Sequence, residues 1–423
     1  MNIDSLKKYF VTDEIDNWKV VFLNRMLIVY AFVLPFSRWW SKRLIITLLI
    51  IWMFSFIKKD LIIILKQKVV LYIIAFITLM GISWFYTELD PGTTIFYLKR
   101  FLSYLLLPLI TISLILKQQY IKYVLQAFIF SIFINEIISY GIAFGWWLHV
   151  DELGFPLVGA MHHSTYSIFV AFTIMLTMYE ILHTRSKAIW GIYGIFLLLM
   201  LGNLVLSGGR TGQISLLLAI ITFAFLYYRK NINVILSFIL IPILFFVGAY
   251  YLYKPFEVRT NQVLVDVKSS IEKQTYGSSV GNRIGSYILL SYIAKDNTVF
   301  EHILGHGAGE LQWVLNSTID EHKLTGFERS RRYQMFHNNY IDAYVGMGLV
   351  GLFLMIMILK SIFDISLRNH KLNYIKISFT LILIFSFMPH YTLYSKYIML
   401  LMALFISIFI VQSQYEKKGF SES

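Results

Sequence analysis

The chain has 423 residues, of which 57% are hydrophobic and only 14% charged, with a mean hydropathy of +0.66; soluble domains carry about 25% charged residues. That composition excludes an ordinary water-soluble domain, and the absence of cysteine excludes disulfides, zinc–thiolate sites and thiol nucleophiles. The formal charge of +13 would suggest a nucleic-acid partner on a soluble protein, but lysine and arginine gathered in the cytoplasmic loops of a membrane protein account for it, and no nucleic acid is expected.

Apolar runs of about 20 residues recur, each about long enough to cross a hydrocarbon core of roughly 30 Å as a helix. Lipid requires that backbone groups be satisfied within each segment, so the expected fold is an all-α polytopic membrane protein. Residues 1–25 mix acids and bases and lack the pattern of a signal peptide. The first span is therefore expected to stay in place behind a cytoplasmic N-terminus. Helices are expected near 20–36, 44–57, 69–85, 101–116, 124–144, 164–182, 189–206, 214–228, 232–252, 340–360, 372–387 and 397–412, about twelve in all. Lys58-Lys59, Lys66, Lys68, His183, Arg185, Lys187, Arg229-Lys230, Arg368, Lys371 and Lys417-Lys418 then fall on one side, which the positive-inside rule makes cytoplasmic. Three parts are expected: 1–252 with helices 1–9, an outer loop domain at 253–339, and 340–423 with helices 10–12 and a cytoplasmic C-terminus.

The chain is organised around the polar stretch 259–339, the one long segment unfit for a bilayer. Several cations outside it also break the charge pattern by lying on the outer side: Arg38, Lys42, Arg43, Lys99, Arg100, Arg210 and Lys396. Such side chains can snorkel to headgroups, or they can face an anionic substrate. Arg38 and Arg100 are candidate substrate-binding residues on the second reading.

Ser207-Gly208-Gly209-Arg210-Thr211-Gly212 separates two apolar helices. The break exposes N–H groups at a helix N-terminus, and Arg210 adds a planar fork suited to phosphate oxygens. The bland alternative is a tight turn with a snorkelling arginine. Gly281-Asn282-Arg283 opens an amphipathic helix and would set Arg283 beside Arg210, two guanidiniums on one pyrophosphate. Gly305, Gly307 and Gly309 lack the Lys-Ser/Thr pair of a phosphate loop and are expected to be structural. His337-Asn338 stands at the mouth of an apolar helix, where an imidazole can take a proton from a sugar hydroxyl or merely cap the helix. Asp342, about one turn on, could orient His337 or be a second candidate carboxylate. Gly346, Gly348 and Gly351 are expected to let this span pack closely against a neighbour. His162 and His163, adjacent in a helix, would point to different faces, and no metal is expected. Glu136, inside a span, is expected to be the buried partner of an arginine, with a proton path as the alternative.

Ser207–Gly212, Gly281–Arg283, and His337-Asn338 followed by nine residues and Gly348-x-x-Gly351 together resemble the O-antigen ligase family, whose superfamily also holds the O-antigen polymerases. The resemblance implies a GT-C-like fold with one large periplasmic loop between helices 9 and 10. It implies a metal-independent, cofactor-free inverting glycosyltransferase in the bacterial inner membrane. Such an enzyme moves a glycan from undecaprenyl pyrophosphate to lipid A–core at the periplasmic face. Position by position, Arg210 and Arg283 would hold the donor pyrophosphate, His337 would activate the acceptor hydroxyl, and Asn338 would lie in the substrate site. The basic run Arg329, Arg331 and Arg332 would meet acceptor phosphates or headgroups. A polymerase would differ only in taking a lipid-linked acceptor. A flippase should show polar residues through several spans, whereas polarity here gathers at one face, which favours an enzyme.

Overall fold

In the computed structural model the described residues are 18–421, apart from 55–60, 88, 147–160, 329 and 333–334. Of the expected features, the tail 1–17, Lys58, Lys59 and Arg329 lie outside them. The described residues are helical and contain no strand. In chain order they form α1 (Trp18–Val33), α2 (Arg38–Phe54), α3 (Leu61–Leu65), α4 (Lys68–Ser83), α5 (Pro91–Phe101), α6 (Leu107–Ile115), α7 (Ile121–Ala143), α8 (His163–His183), α9 (Lys187–Leu206) and α10 (Arg210–Tyr228). Then come α11 (Ile232–Leu252), α12 (Lys254–Glu272), α13 (Gly281–Asp296), α14 (Val299–Leu304), α15 (Leu311–Glu321), α16 (Asn339–Phe363), α17 (His370–Ser386) and α18 (Lys396–Ser421).

A helix stands at each of the twelve expected places. Among the described residues, eight helical stretches are long and apolar enough to cross a membrane: 91–115, 118–143, 163–183, 187–206, 210–228, 232–252, 339–363 and 396–417. The chain is a multi-pass, all-α membrane protein. The helix at 91–115 starts ten residues before the expected 101, because Asp90 accepts from Thr93 N at 2.9 Å and Pro91 suits the first turn. It passes through a π turn at Leu102–Leu106. Pro108, which lacks an N–H, sits where a regular helix would need a donor to Tyr104, and the wider turn absorbs the mismatch.

Helix α18 is the axis of the bundle and is almost wholly buried. The Phe405 ring meets those of Phe128, Phe172 and Phe379 at 5.2, 4.6 and 5.4 Å, drawing α7, α8 and α17 around it. Helix α11 lies at the periphery, with Leu240, Ile241 and Leu244 at least half exposed. Glu136 is fully buried between α7, α8 and α9, and its partners are not arginine. It accepts from Tyr166 Oη at 2.8 Å and from Asn203 Nδ2 at 2.7 Å. Two neutral donors from facing helices satisfy the carboxyl group, which corrects the expected ion pair.

The stretch between α11 and α16 is keyed into the bundle by main-chain contacts. His306 N and Gly307 N donate to Val345 O at 2.9 Å and Gly346 O at 3.0 Å. Helix α16 opens to receive them at Met347 and Gly348. Gly348 has φ +64°, and a Cβ there would stand 2.3 Å from the Ile303 carbonyl. Gly346 and Gly348 therefore admit the 303–308 segment as the close neighbour of this helix, while Gly351 lies against Met347 and the Ala343 carbonyl of its own helix. Gly305 serves the same docking, whereas Gly307 and Gly309 bring the segment against Thr87 and against Asp90 and Thr94 at the start of α5.

Candidate functional site

Helices α8, α10, α16 and α18 all begin at one end of the bundle, and the candidate residues collect there. At the α9–α10 break, Gly208 takes φ +60° and the Arg259 guanidinium occupies the space a Cβ would fill. Gly209 and Gly212 press α10 onto Ser167 and the His163 carbonyl of α8, and Gly212 N donates to Ser167 Oγ at 3.1 Å. Arg210 Nη2 donates to Arg259 O at 2.9 Å. Two arginines, not one, therefore stand over this turn. Asp266 attracts Arg210 electrostatically but forms no ion pair with it. Arg259 carried no assigned role in the sequence; its signal was its place five residues past Lys254 at the foot of α11.

Arg283 lies in the first turn of α13. Its Nε donates to Pro389 O at 2.8 Å and its Nη1 to Ser279 O at 2.9 Å. Burial, and then the Arg210 charge, push it down to about 10. It therefore stays cationic at neutral pH while paying for desolvation and for a like charge nearby. Arg210 and Arg283 are thus brought within electrostatic reach of one another.

His337 precedes the N-cap of α16. Asn338 is that cap: its Oδ1 accepts from Tyr340 N at 2.9 Å and Ile341 N at 3.3 Å, and its Nδ2 donates to Tyr287 Oη at 2.9 Å. Asn338 is 3% exposed. It thereby holds the turn that presents His337. Fully buried Asp342 accepts from Phe336 N at 2.8 Å and fixes the backbone just before the imidazole.

The link between α17 and α18, residues 387–395, ties these pieces together, and nothing in the sequence had singled it out. Asn339 N donates to Phe387 O at 2.9 Å, and Leu393 N donates to Asn339 Oδ1 at 2.9 Å. Pro389 receives Arg283. The His390 ring lies 6.0 Å from that of His337 and stacks on Tyr391 at 4.2 Å, while Tyr391 lies 5.7 Å from His337. His390 Nε2 meets Ser164 Oγ at 3.3 Å, and Ser164 Oγ meets His162 Nδ1 at 2.8 Å. Burial holds His390 well below the usual histidine range, assisted by the charges of His337, Arg283, His162 and His163. His162 caps α8 from outside the helix, so its ring comes within 4.1 Å of that of His163. The expectation that the two diverge fails because only His163 is helical. Among the described residues no group of three or more His, Asp or Glu is arranged to hold a metal ion.

Arg38 and Arg100 do not join Arg210 and Arg283. Arg100 Nη1 donates to Tyr394 O at 3.1 Å and its guanidinium lies 4.4 Å over the Phe96 ring. Arg38 lies 5.9 Å over the Tyr397 ring. Arg331 pairs with Asp320 at 2.6 Å on the exposed flank of α15.

Two comparisons bear on this arrangement. The chain is 25% identical over 228 residues to an uncharacterized protein of Haemophilus influenzae, a match covering 52% of this chain and 55% of the relative; the chain thus spans about half the length of the curated relative it matches. Residues 195–356 match the model of the O-antigen ligase family. The matched segment carries Arg210, Arg259, Arg283, His337 and the Gly348 docking site. Over that segment the chain is similar to the O-antigen ligase family.

Proposed function

We propose that the protein is an O-antigen ligase, an inverting glycosyltransferase that moves a glycan from undecaprenyl pyrophosphate to lipid A–core at the periplasmic face of the inner membrane. The observation that carries this reading is the 387–391 link, which holds Arg283 by the Pro389 carbonyl and sets His390 and Tyr391 against His337. A cation for a departing diphosphate and a base for an incoming hydroxyl thus meet at one short segment.

In this reading Arg210 and Arg283 take the donor pyrophosphate, with Arg259 beside Arg210. His337 accepts the acceptor's hydroxyl proton as that oxygen bonds the anomeric carbon. The anomeric C–O bond to phosphate breaks on the opposite face, and the electron pair leaves with the pyrophosphate. The configuration inverts in one displacement. Guanidiniums stabilise the charge that develops on the leaving group, and removing one such donor costs about 10²–10³ in rate. Asn338 and Asp342 hold the turn that aims His337.

The test is genetic. A deletion strain is complemented with His337→Ala or Arg210→Ala, and its lipopolysaccharide is resolved on a gel. Loss of all glycan-capped core, with long glycan accumulating on its lipid carrier, supports the ligase. Core bearing single repeats indicates a polymerase instead. Normal ladders from both variants remove the assignment.

A further inference from the structure

A second group of cations lies at the Tyr394 end of the same 387–395 link, whereas Arg283 holds its Pro389 end. Lys42 of α2 and Lys396 of α18 direct their ammonium groups at one ring, with Nζ 5.0 and 5.4 Å from the Tyr104 centroid. Arg100 rests on Phe96 and bonds Tyr394 O, while its Nε is buried without a hydrogen-bond partner. Arg100, Arg38 and Lys42 all act electrostatically on Lys396. Among the described residues, no carboxylate is ion-paired with any of the four.

Four cations held by aromatic faces and not by acids repel one another, yet apart from the Arg100 Nη1 bond to Tyr394 O they keep their N–H donors for something else. A multiply charged anion would relieve the repulsion and engage those donors. Trp39 and Trp40, 51% and 55% exposed, flank the group, and Arg43 lies over the Trp39 ring at 3.0 Å. Exposed tryptophans beside arginines mark the headgroup level of a bilayer. The anion is therefore carried by a lipid.

We propose that Arg38, Lys42, Arg100 and Lys396 form a second phosphate site, which holds the phosphate of the membrane-anchored acceptor while its sugar reaches His337. The role as acceptor site rests on the glycosyl-transfer reading above. Tyr391, which borders His337, belongs to the same link whose Tyr394 carbonyl receives Arg100, so the site is one short segment from the imidazole.

The test is lipid binding by native mass spectrometry of the full-length protein. The probes are diphosphorylated lipid A, its dephosphorylated form, undecaprenyl pyrophosphate and phosphatidylglycerol. Lys42→Ala/Lys396→Ala is expected to weaken lipid A binding at least about tenfold and to leave one equivalent of undecaprenyl pyrophosphate in place; Arg210→Ala is expected to do the reverse. Two equivalents of undecaprenyl pyrophosphate, one lost in the double variant, would support the site and assign it to a second polyprenyl carrier. If the double variant does not fold, the exposed Arg38→Gln takes its place. Unchanged lipid A and carrier binding in the variants, or equal displacement by phosphatidylglycerol, overturns the proposal. Binding is read without turnover, so an inactive wild-type enzyme would refute the catalytic reading and leave this measurement standing.

Discussion

Replacing Arg283 by methionine separates a residue that serves chemistry from one that serves the fold. The fall of Arg283 from the ordinary arginine range to about 10 corresponds to about 3 kcal/mol against its charged form, at about 1.4 kcal/mol per pKa unit. Its hydrogen bonds to Pro389 O at 2.8 Å and Ser279 O at 2.9 Å act the other way, at about 1.5–3 kcal/mol for each bond from a charged group. Methionine keeps the length, removes the desolvated charge and loses both bonds. The opposing effects leave the stability of Arg283→Met within about 3 kcal/mol of wild type, whereas turnover should fall about 10²–10³ if the guanidinium stabilises a departing pyrophosphate. Glycan transfer from a lipid-linked donor in detergent measures the second effect; tryptophan-monitored thermal unfolding at a fixed scan rate measures the first. Turnover within tenfold of wild type, or a collapse in stability with a matching loss of activity, would refute the reasoning.

Further outcomes follow from the same contacts. Because His390 is held well below its usual range when folded, its contribution to stability is complete above the unfolded value of about 6.5 and is lost as pH falls below it; His390→Asn should flatten that acid limb in unfolding scans taken from about pH 7 down to about pH 5. Glu136→Ala leaves Tyr166 Oη and Asn203 Nδ2 buried without their acceptor and should cost about 1–3 kcal/mol for each donor, with Glu136→Gln milder, both read from melting temperatures. Gly348→Ala adds a Cβ at φ +64° and 2.3 Å from the Ile303 backbone, whereas Gly346→Ala meets nothing closer than 3.4 Å; the first should abolish the folded yield seen in size-exclusion profiles and the second should leave it intact.

The helices were legible because each spans an apolar run bounded by caps or glycines, and lipid leaves a spanning chain little else to form. Arg210, Arg283 and His337 were legible because each sits at a helix start beside glycine or asparagine. His390 was not. It is a single histidine after a proline in a short link, and its surroundings exist only once α17 and α18 fold back over the start of α16. Arg259 was hidden for the same reason, since the cavity over Gly208 belongs to a different helix. Arg38 and Arg100 were visible as misplaced cations, but their separation from Arg210 is a property of packing, not of spacing along the chain. The carboxyl group of Glu136 was noticed and its partner misjudged, because tyrosine and asparagine inside spans attract less notice than arginine.

The joint between the 303–308 segment and α16 is made of carbonyls, amides and absent side chains. Such a hinge plate specifies a few glycines and is indifferent to the residues around them. The polar stretch above the bundle can therefore change exposed side chains without losing its seat. Diversification at that surface and permanence at its anchorage are both written into the same few peptide bonds.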